Sequence, residues 1–164
     1  MLDDPFKYGL LAALAIALLV AGFTDLRSRR IGNWLNGSIA LCAPLFWWAS
    51  GMSLWPEVAA QLGVAVGAFS ILAGLFAIGA MGGGDVKLLT ALALWIEPAW
   101  FLKLIIVMAL VGGVLTIVFA AVHMINGRKD RLAIPYGLAI ATAGLWVLST
   151  HYWPPMAATS GALG

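Results

Sequence analysis

Long stretches without a charged side chain constrain this chain more than any other feature of its sequence. Only 10% of its 164 residues are charged, 63% are hydrophobic, and the mean hydropathy is +1.00. Soluble domains carry roughly 25% charged residues, which they need to coat their surface. The composition therefore excludes a water-soluble enzyme, and its high hydrophobicity excludes a disordered chain.

The hydrophobic stretches have lengths that suit a lipid bilayer, whose hydrocarbon core of about 30 Å takes roughly 20 helical residues. We predict an all-α membrane protein with six transmembrane helices in a single domain over residues 1–164. The spans are predicted approximately at 8–23, 34–50, 58–80, 86–96, 99–123 and 132–149. The fourth is short, and its length would also suit a re-entrant segment.

The basic residues predict how these spans are oriented. Seven of the nine fall in alternate connections, namely Arg27, Arg29, Arg30, Lys87, Arg128, Lys129 and Arg131. Positive charge concentrates in cytoplasmic loops, so we expect these connections in the cytoplasm and both termini outside. The fourth segment must then cross, since otherwise the last basic loop would lie on the wrong side. Asp3 and Asp4 precede the first span where a secretory signal has positive charge, so we expect this helix to be retained.

The sequence has few residues that could bind a metal ion or form a disulfide. Cys42 is the single cysteine, and His123 and His151 lie far apart along the chain. We therefore expect no metal cluster, no disulfide and no cofactor. We also expect no nucleic-acid partner.

Two of the seven acidic residues stand out by their position. Asp25 directly follows an apolar span, at a helix C-terminus where the helix dipole opposes a carboxylate, although nearby arginines could offset this as an interfacial ion pair. Asp85 directly precedes an apolar stretch, where an aspartate is a good N-cap. Each residue taken alone has a structural explanation.

Taken together, the two aspartates indicate more, because the predicted topology places both at cytoplasmic ends of spans. Two carboxylates that share a site hold one proton between them. Such a pair suits acid–base hydrolysis, in which one carboxylate activates water and the other, protonated, polarises the scissile carbonyl. A proton or ion path in a small transporter or channel component remains an alternative, as does a non-catalytic scaffold.

A run of three glycines, Gly82-Gly83-Gly84, precedes Asp85. Such a run lets the backbone approach a ligand closely. It could pair with an extended peptide or cradle a phosphate, or it could be a structural turn. The phosphate reading is the weaker one, because the P-loop pattern is missing and Asp85 would repel the anion.

Three segments resemble the motifs of type IV prepilin peptidases, a family of intramembrane aspartyl proteases. Residues 82–88 contain the G-x-G-D signature followed by x-K-L. Residues 25–35 are similar to the first aspartate box, and Ile134-Pro135-Tyr136-Gly137 is similar to the motif of the last span. The three motifs occur in the family's order and cover nearly the whole chain.

The resemblance implies an aspartic endopeptidase of the bacterial inner membrane, with Asp25 and Asp85 as catalytic dyad facing the cytoplasm. Its substrate would be a prepilin or pseudopilin, cut between a basic leader and a hydrophobic helical segment. The negative charge of the dyad would attract that leader. Residues expected to bind substrate or line the site are Gly82, Gly83, Gly84, Lys87, Asn33, Pro135 and Tyr136.

Two departures from the family pattern narrow the resemblance. Gly32 stands where the family often has proline, and the chain has no CxxC pairs. Its first cytoplasmic connection is predicted to be only about ten residues long. The chain therefore resembles the short, peptidase-only members that serve Flp-type (tight-adherence) pili, and we do not expect methylation of the new N-terminus.

Several of the supporting residues also have plain structural explanations. Asn33 is expected to cap the second helix, although its amide could also contact substrate. Pro135 fits the first position of the last helix, followed by Tyr136 as an interfacial aromatic. Lys87 would anchor the cytoplasmic side and could also tune Asp85.

Overall fold

The computed structural model describes residues 5–125 and 134–152, and within these ranges the chain is helical and contains no strand. The all-α prediction is therefore confirmed for the described residues. A π-helical turn, Leu54–Val58, leads into the third helix, and another, Leu148–Tyr152, follows the sixth. The α-helices are α1 (Pro5–Ser28), α2 (Asn33–Ala49), α3 (Ala59–Ala77), α4 (Gly83–Ala93), α5 (Pro98–Ile125) and α6 (Tyr136–Val147).

Three helical stretches of the described chain are long and apolar enough to cross a membrane: Pro5–Ser28, Leu54–Ala77 and Pro98–Ile125. The other helices are shorter, and the 11 residues of α4 rise only about 16 Å, half the thickness of a hydrocarbon core. Six crossings and outer termini therefore stay predictions. Arg128, Lys129 and Arg131, together with the predicted start of the sixth span, lie outside the described residues.

The two shortest helices form the centre of the bundle, and the longest faces outward. α4 packs against α2, α3 and α6, while α6 packs against α1 and α5. Leu88, Leu89, Leu92 and Ile140 are completely buried there. By contrast, α5 exposes a largely apolar surface that includes Leu110 and Ile117. Such an apolar exterior is typical of helices that face lipid.

Small residues bring α6 close to α1. A Cβ atom at Gly144 would lie 2.8 Å from Leu18, and one at Gly22 would lie 3.1 Å from the Cβ of Ala141. Glycine at such crossings lets two helix backbones approach, which is how helices associate where lipid removes the hydrophobic drive between them. The close contact fixes the start of α6 beside the end of α1.

The C-terminal end of α4 is held by side chains from other helices. The carbonyl groups of residues 94–96 accept hydrogen bonds from Trp47 on α2 (2.7 Å), Tyr152 after α6 (3.0 Å) and Gln61 on α3 (2.7 Å). A helix leaves its last carbonyl groups without partners, and apolar surroundings make this costly. These side chains allow α4 to end inside the bundle.

Candidate active site

Asp25 and Asp85 line the same cavity, although they come from different helices. Asp25 lies in the last turn of α1 and is only 6% exposed, while Asp85 lies in the first turn of α4. The cavity has a volume of about 260 Å³. Its wall is completed by Arg29, Arg30, Ile31, Gly82, Gly83 and Gly84. The structure therefore brings together the two carboxylates and the three glycines that the sequence singles out.

The glycine run shapes the start of α4 around the Asp85 carboxylate. Gly82 is the N-cap residue, and the backbone N–H of Asp85 donates to its carbonyl at 3.1 Å. The Asp85 side chain reaches back to accept from the Gly82 N–H, as in a capping box. A Cβ at Gly82 would lie 2.9 Å from Oδ2 of Asp85. The prediction that Asp85 itself is the N-cap is therefore wrong, because α4 already begins at Gly83, two residues before Asp85.

The other two glycines let neighbouring segments pack against the loop. A Cβ at Gly84 would lie 3.4 Å from the Cβ of Ile31, in the connection between α1 and α2. A Cβ at Gly83 would lie 3.3 Å from the ring of Phe76 on α3. The connection between α1 and α2 comprises only residues 29–32, whereas about ten residues were expected. The short connection carries Ile31 directly across the cavity.

Asp25 is held by the start of α6. Its carboxylate accepts hydrogen bonds from the backbone amides of Gly137 and Leu138, while Oδ2 has no partner among the described residues. A Cβ at Gly137 would lie 2.8 Å from Cγ of Asp25. The sequence motif contains Gly137, but its role was missed, because only packing shows which residue faces the carboxylate. The signal in the sequence was a glycine, Gly137, at the predicted start of a helix, where a backbone N–H can bind a carboxylate.

The two aspartates have different surroundings in the cavity. Burial, and then the negative charge of Asp25, raises the pKa of Asp85 to about 6. Asp85 lies outside the three candidate spans. Beside the carboxylate of Asp25, at the end of the candidate span Pro5–Ser28, lie the backbone amides of Gly137 and Leu138 and the positive charge of Arg29. Of the two aspartates, Asp85 is thus the one whose surroundings favour holding a proton.

Arg29 itself has an unusual backbone conformation. Its φ is 54°, in the left-handed region that residues other than glycine seldom adopt, and its N–H donates to the carbonyl of Asp25 at 2.8 Å. This arrangement ends α1 at Ser28, one turn after the aspartate. It also leaves both Arg29 and Arg30 on the cavity wall. The positive charges of Arg29 and Arg30 offset the negative charges of Asp25 and Asp85. The expectation that net negative charge at the two aspartates attracts a basic leader therefore loses its basis.

Lys87 and Asn33 meet next to the dyad cavity without lining it. The ammonium group of Lys87 donates to Oδ1 of Asn33 at 2.8 Å, which ties α4 to the start of α2. Gly32, rather than Asn33, is the N-cap of α2, and no side chain caps this helix. The capping prediction for Asn33 is therefore wrong, because its amide faces Lys87 instead. Both residues line a neighbouring cavity.

Pro135 and Tyr136 directly precede Gly137, which contacts Asp25, but they do not line the dyad cavity. Pro135 is buried at the N-cap position of α6, one residue before the first helical position that the sequence predicts for it. The ring of Tyr136 packs towards α5, where a Cβ at Gly112 would lie 3.2 Å from it. The next residue, Gly137, makes the contact instead.

Metal coordination has no obvious place in this part of the chain. Across residues 5–125 and 134–152, no three side chains of His, Cys, Asp or Glu come close enough together to hold an ion. The dyad cavity itself is lined by two carboxylates, two guanidinium groups and backbone amides.

Helical architecture and an apolar exterior define the class as a helical membrane protein. Residues 12–121 match the model of the type IV leader peptidase family. The chain belongs to this family. It is also 35% identical, over 150 residues, to a prepilin leader peptidase/N-methyltransferase from Xanthomonas campestris pv. campestris. That match covers 85% of this chain and 48% of the relative, so the chain spans about half of the relative's length. No solved structure matches the chain.

Proposed function

We propose that this chain is an intramembrane aspartic endopeptidase that removes the basic leader from Flp-type prepilins at the cytoplasmic face of the bacterial inner membrane. Family membership supports a peptidase of this kind. The observation that carries the proposal is that Asp25 and Asp85 line one cavity. The lack of CxxC pairs in this sequence and the short connection between α1 and α2, residues 29–32, fit a peptidase without the methyltransferase activity named for the relative.

The different surroundings of the two aspartates support a division of roles. Asp25, whose carboxylate lies beside two backbone amides, takes a proton from water as the water oxygen attacks the scissile carbonyl carbon. Asp85, protonated, donates its proton to the carbonyl oxygen. When the tetrahedral intermediate collapses, Asp25 gives its proton to the departing amine and Asp85 recovers one from the hydroxyl. Both groups return to their starting states as the C–N bond breaks.

The glycine wall of the cavity suits a peptide substrate. Gly83 and Gly84 line the cavity in the first turn of α4, where backbone N–H groups have no partner within the helix. A peptide that pairs with exposed backbone groups is held by main-chain hydrogen bonds, and its own side chains are free to vary. This favours a peptide over an ion as the ligand, and so favours hydrolysis over the transporter or channel alternative.

Replacing either aspartate by asparagine tests the proposal. Asp25→Asn removes the base and Asp85→Asn removes the acid, so each variant should cut a co-expressed prepilin about 100- to 10,000-fold more slowly. Processing is followed as the mobility shift of the pilin on a gel, with membrane levels of each variant checked by immunoblot. Glu57→Gln is the matched control, since Glu57 lies outside the dyad cavity and bonds to Ser53. Normal processing by either aspartate variant would contradict the proposal.

A further inference from the structure

A second cavity lies beside the dyad, between α2, α3 and α4, and has a volume of about 320 Å³. We call it the α2–α3–α4 groove. Lys87, Thr90, Ala91 and Leu94 follow one another along a single face of α4 and line it. From Lys87 to Leu94 the helix rises about 10 Å, which matches the length of about three extended residues. The groove is therefore large enough for a short stretch of peptide.

Asn36 of α2 joins the groove to the dyad loop. It is only 4% exposed, and its Nδ2 donates to the carbonyl oxygen of Gly84 at 3.3 Å. A carbonyl can only accept, so this bond fixes the orientation of the amide and leaves Oδ1 facing away from Gly84. Oδ1 has no hydrogen-bond partner in the described part of the chain. A buried acceptor without a partner is costly, and a ligand that donates to it would remove that cost.

We propose that the α2–α3–α4 groove binds the apolar segment that follows the scissile bond of the substrate, with Oδ1 of Asn36 accepting one of its backbone N–H groups. This inference rests on the proposed peptidase function. Gly84, which Asn36 holds, is part of the dyad wall, so Asn36 connects the groove to the loop beside the two carboxylates.

The charge and lining of the groove select this side of the scissile bond. Lys87 lies on the groove wall, where it would repel a basic leader. The remaining walls are mostly apolar and include Phe69, Ala40, Ala91 and Leu94. A hydrophobic segment packs against these apolar walls, and one of its backbone N–H groups donates to Oδ1 of Asn36.

Asn36→Leu tests the hydrogen bond, because leucine has a similar branched shape and no acceptor. The probe is a synthetic peptide that contains a basic leader, a cleavage site and the first apolar residues. We expect its Kd, measured by fluorescence anisotropy, to rise about tenfold, as for the loss of one buried hydrogen bond. kcat should fall as well, because the substitution also removes the bond from Nδ2 to Gly84, so Kd is the readout for the Oδ1 contact. If Asn36 only supported Gly84, kcat would fall and Kd would not change, and that result would overturn the proposal.

N-methylation of the peptide identifies the donor. Methylating single backbone nitrogens after the scissile bond should weaken binding to the wild-type protein at one position. At that position, methylation should have no further effect on Asn36→Leu, since the two changes remove the same bond. Additive effects at every position would contradict the assignment.

Gly37→Phe tests the groove without disturbing the fold. Gly37 lines the groove, and a Cβ there would meet no atom within 4 Å. We expect this variant to bind the full peptide at least about tenfold more weakly, but to bind normally a peptide that ends at the scissile bond. Gly113→Phe on α5 is the control, since a Cβ there also meets nothing within 4 Å.

Binding and cleavage together separate this inference from the proposed function. Cleavage by Asp25→Asn would reject the dyad, whatever the binding data show. Unchanged peptide Kd in both Asn36→Leu and Gly37→Phe would reject the groove, even if the dyad variants are inactive. Loss of a co-purified lipid from Gly37→Phe with unchanged peptide Kd would likewise reject it, in favour of a lipid site.

Discussion

The carboxylate of Asp25 is held by backbone amides, which makes a residue without a side chain important for its position. The contact comes from Gly137, at the first turn of α6. A helix N-terminus stabilises a carboxylate through its free N–H groups. In this arrangement, the end of α1 provides the carboxylate and the start of α6 orients it.

Gly137→Ala should therefore reduce catalysis without unfolding the protein. The new Cβ would lie 2.8 Å from Cγ of Asp25, which forces the carboxylate to move. Alanine is otherwise the better helix former, so the fold should persist. We expect kcat to fall about 100-fold, the effect of misplacing a catalytic group by about 1 Å, with peptide Kd unchanged. Gly113→Ala, which adds the same methyl group in open space, should match the wild type; equal activity of both variants would contradict this role.

At the level of single residues, charge was predictable from the sequence and packing was not. Asp25 and Asp85 stand out because a carboxylate beside an apolar span is costly and requires a compensating contact or a function. Gly137 and Asn36 carry no charge, and their contacts to Asp25 and Gly84 arise only when α6 packs on α1 and α2 packs on α4. For the same reason, Asn33 was expected to cap a helix and instead accepts from Lys87.

Among the helices, α4 shows what local patterns miss. The sequence places it at residues 86–96, whereas it spans Gly83–Ala93. Its start is earlier because Gly82 caps it and the following glycines accept helical geometry. Its end is earlier because side chains of α2, α3 and the turn after α6 bind the carbonyl groups of residues 94–96. No pattern within the segment encodes those distant donors.

Gln61→Leu should show how much one such donor contributes. Gln61 is buried, and its Nε2 donates to the carbonyl of Ile96 at 2.7 Å. Leucine would leave that carbonyl without its partner in apolar surroundings, so we expect the free energy of unfolding in detergent to fall by about 1–3 kcal/mol. Ser70→Ala is the control on the same helix, because its exposed hydroxyl bonds only to Val66 of α3. Equal stability of the two variants would contradict the role of Gln61.

The four acidic residues in the described part of the chain lie at two ends of the bundle. Asp25 and Asp85 line one cavity, while Glu57 and Glu97 line another of about 580 Å³. The chain from Glu57 through α3 leads to the dyad end, and α4 leads back from there to Glu97. Although α4 is short, it therefore runs antiparallel to α3 and returns the chain to the end where α3 began. This supports a fourth crossing over a re-entrant segment.

Cysteine labelling can test that topology, because Cys42 is the single cysteine of the chain. In a Cys42→Ala background, Ser28→Cys and Ala80→Cys should react with a membrane-impermeant maleimide only in inverted vesicles, since positive charge keeps those connections in the cytoplasm. Ser53→Cys and Glu97→Cys should react only in intact spheroplasts. All four positions are exposed, so the side of the membrane decides the reaction. If Glu97→Cys reacted from the same side as Ala80→Cys, α4 would be re-entrant, and the charge-based orientation of the helices after it would be reversed.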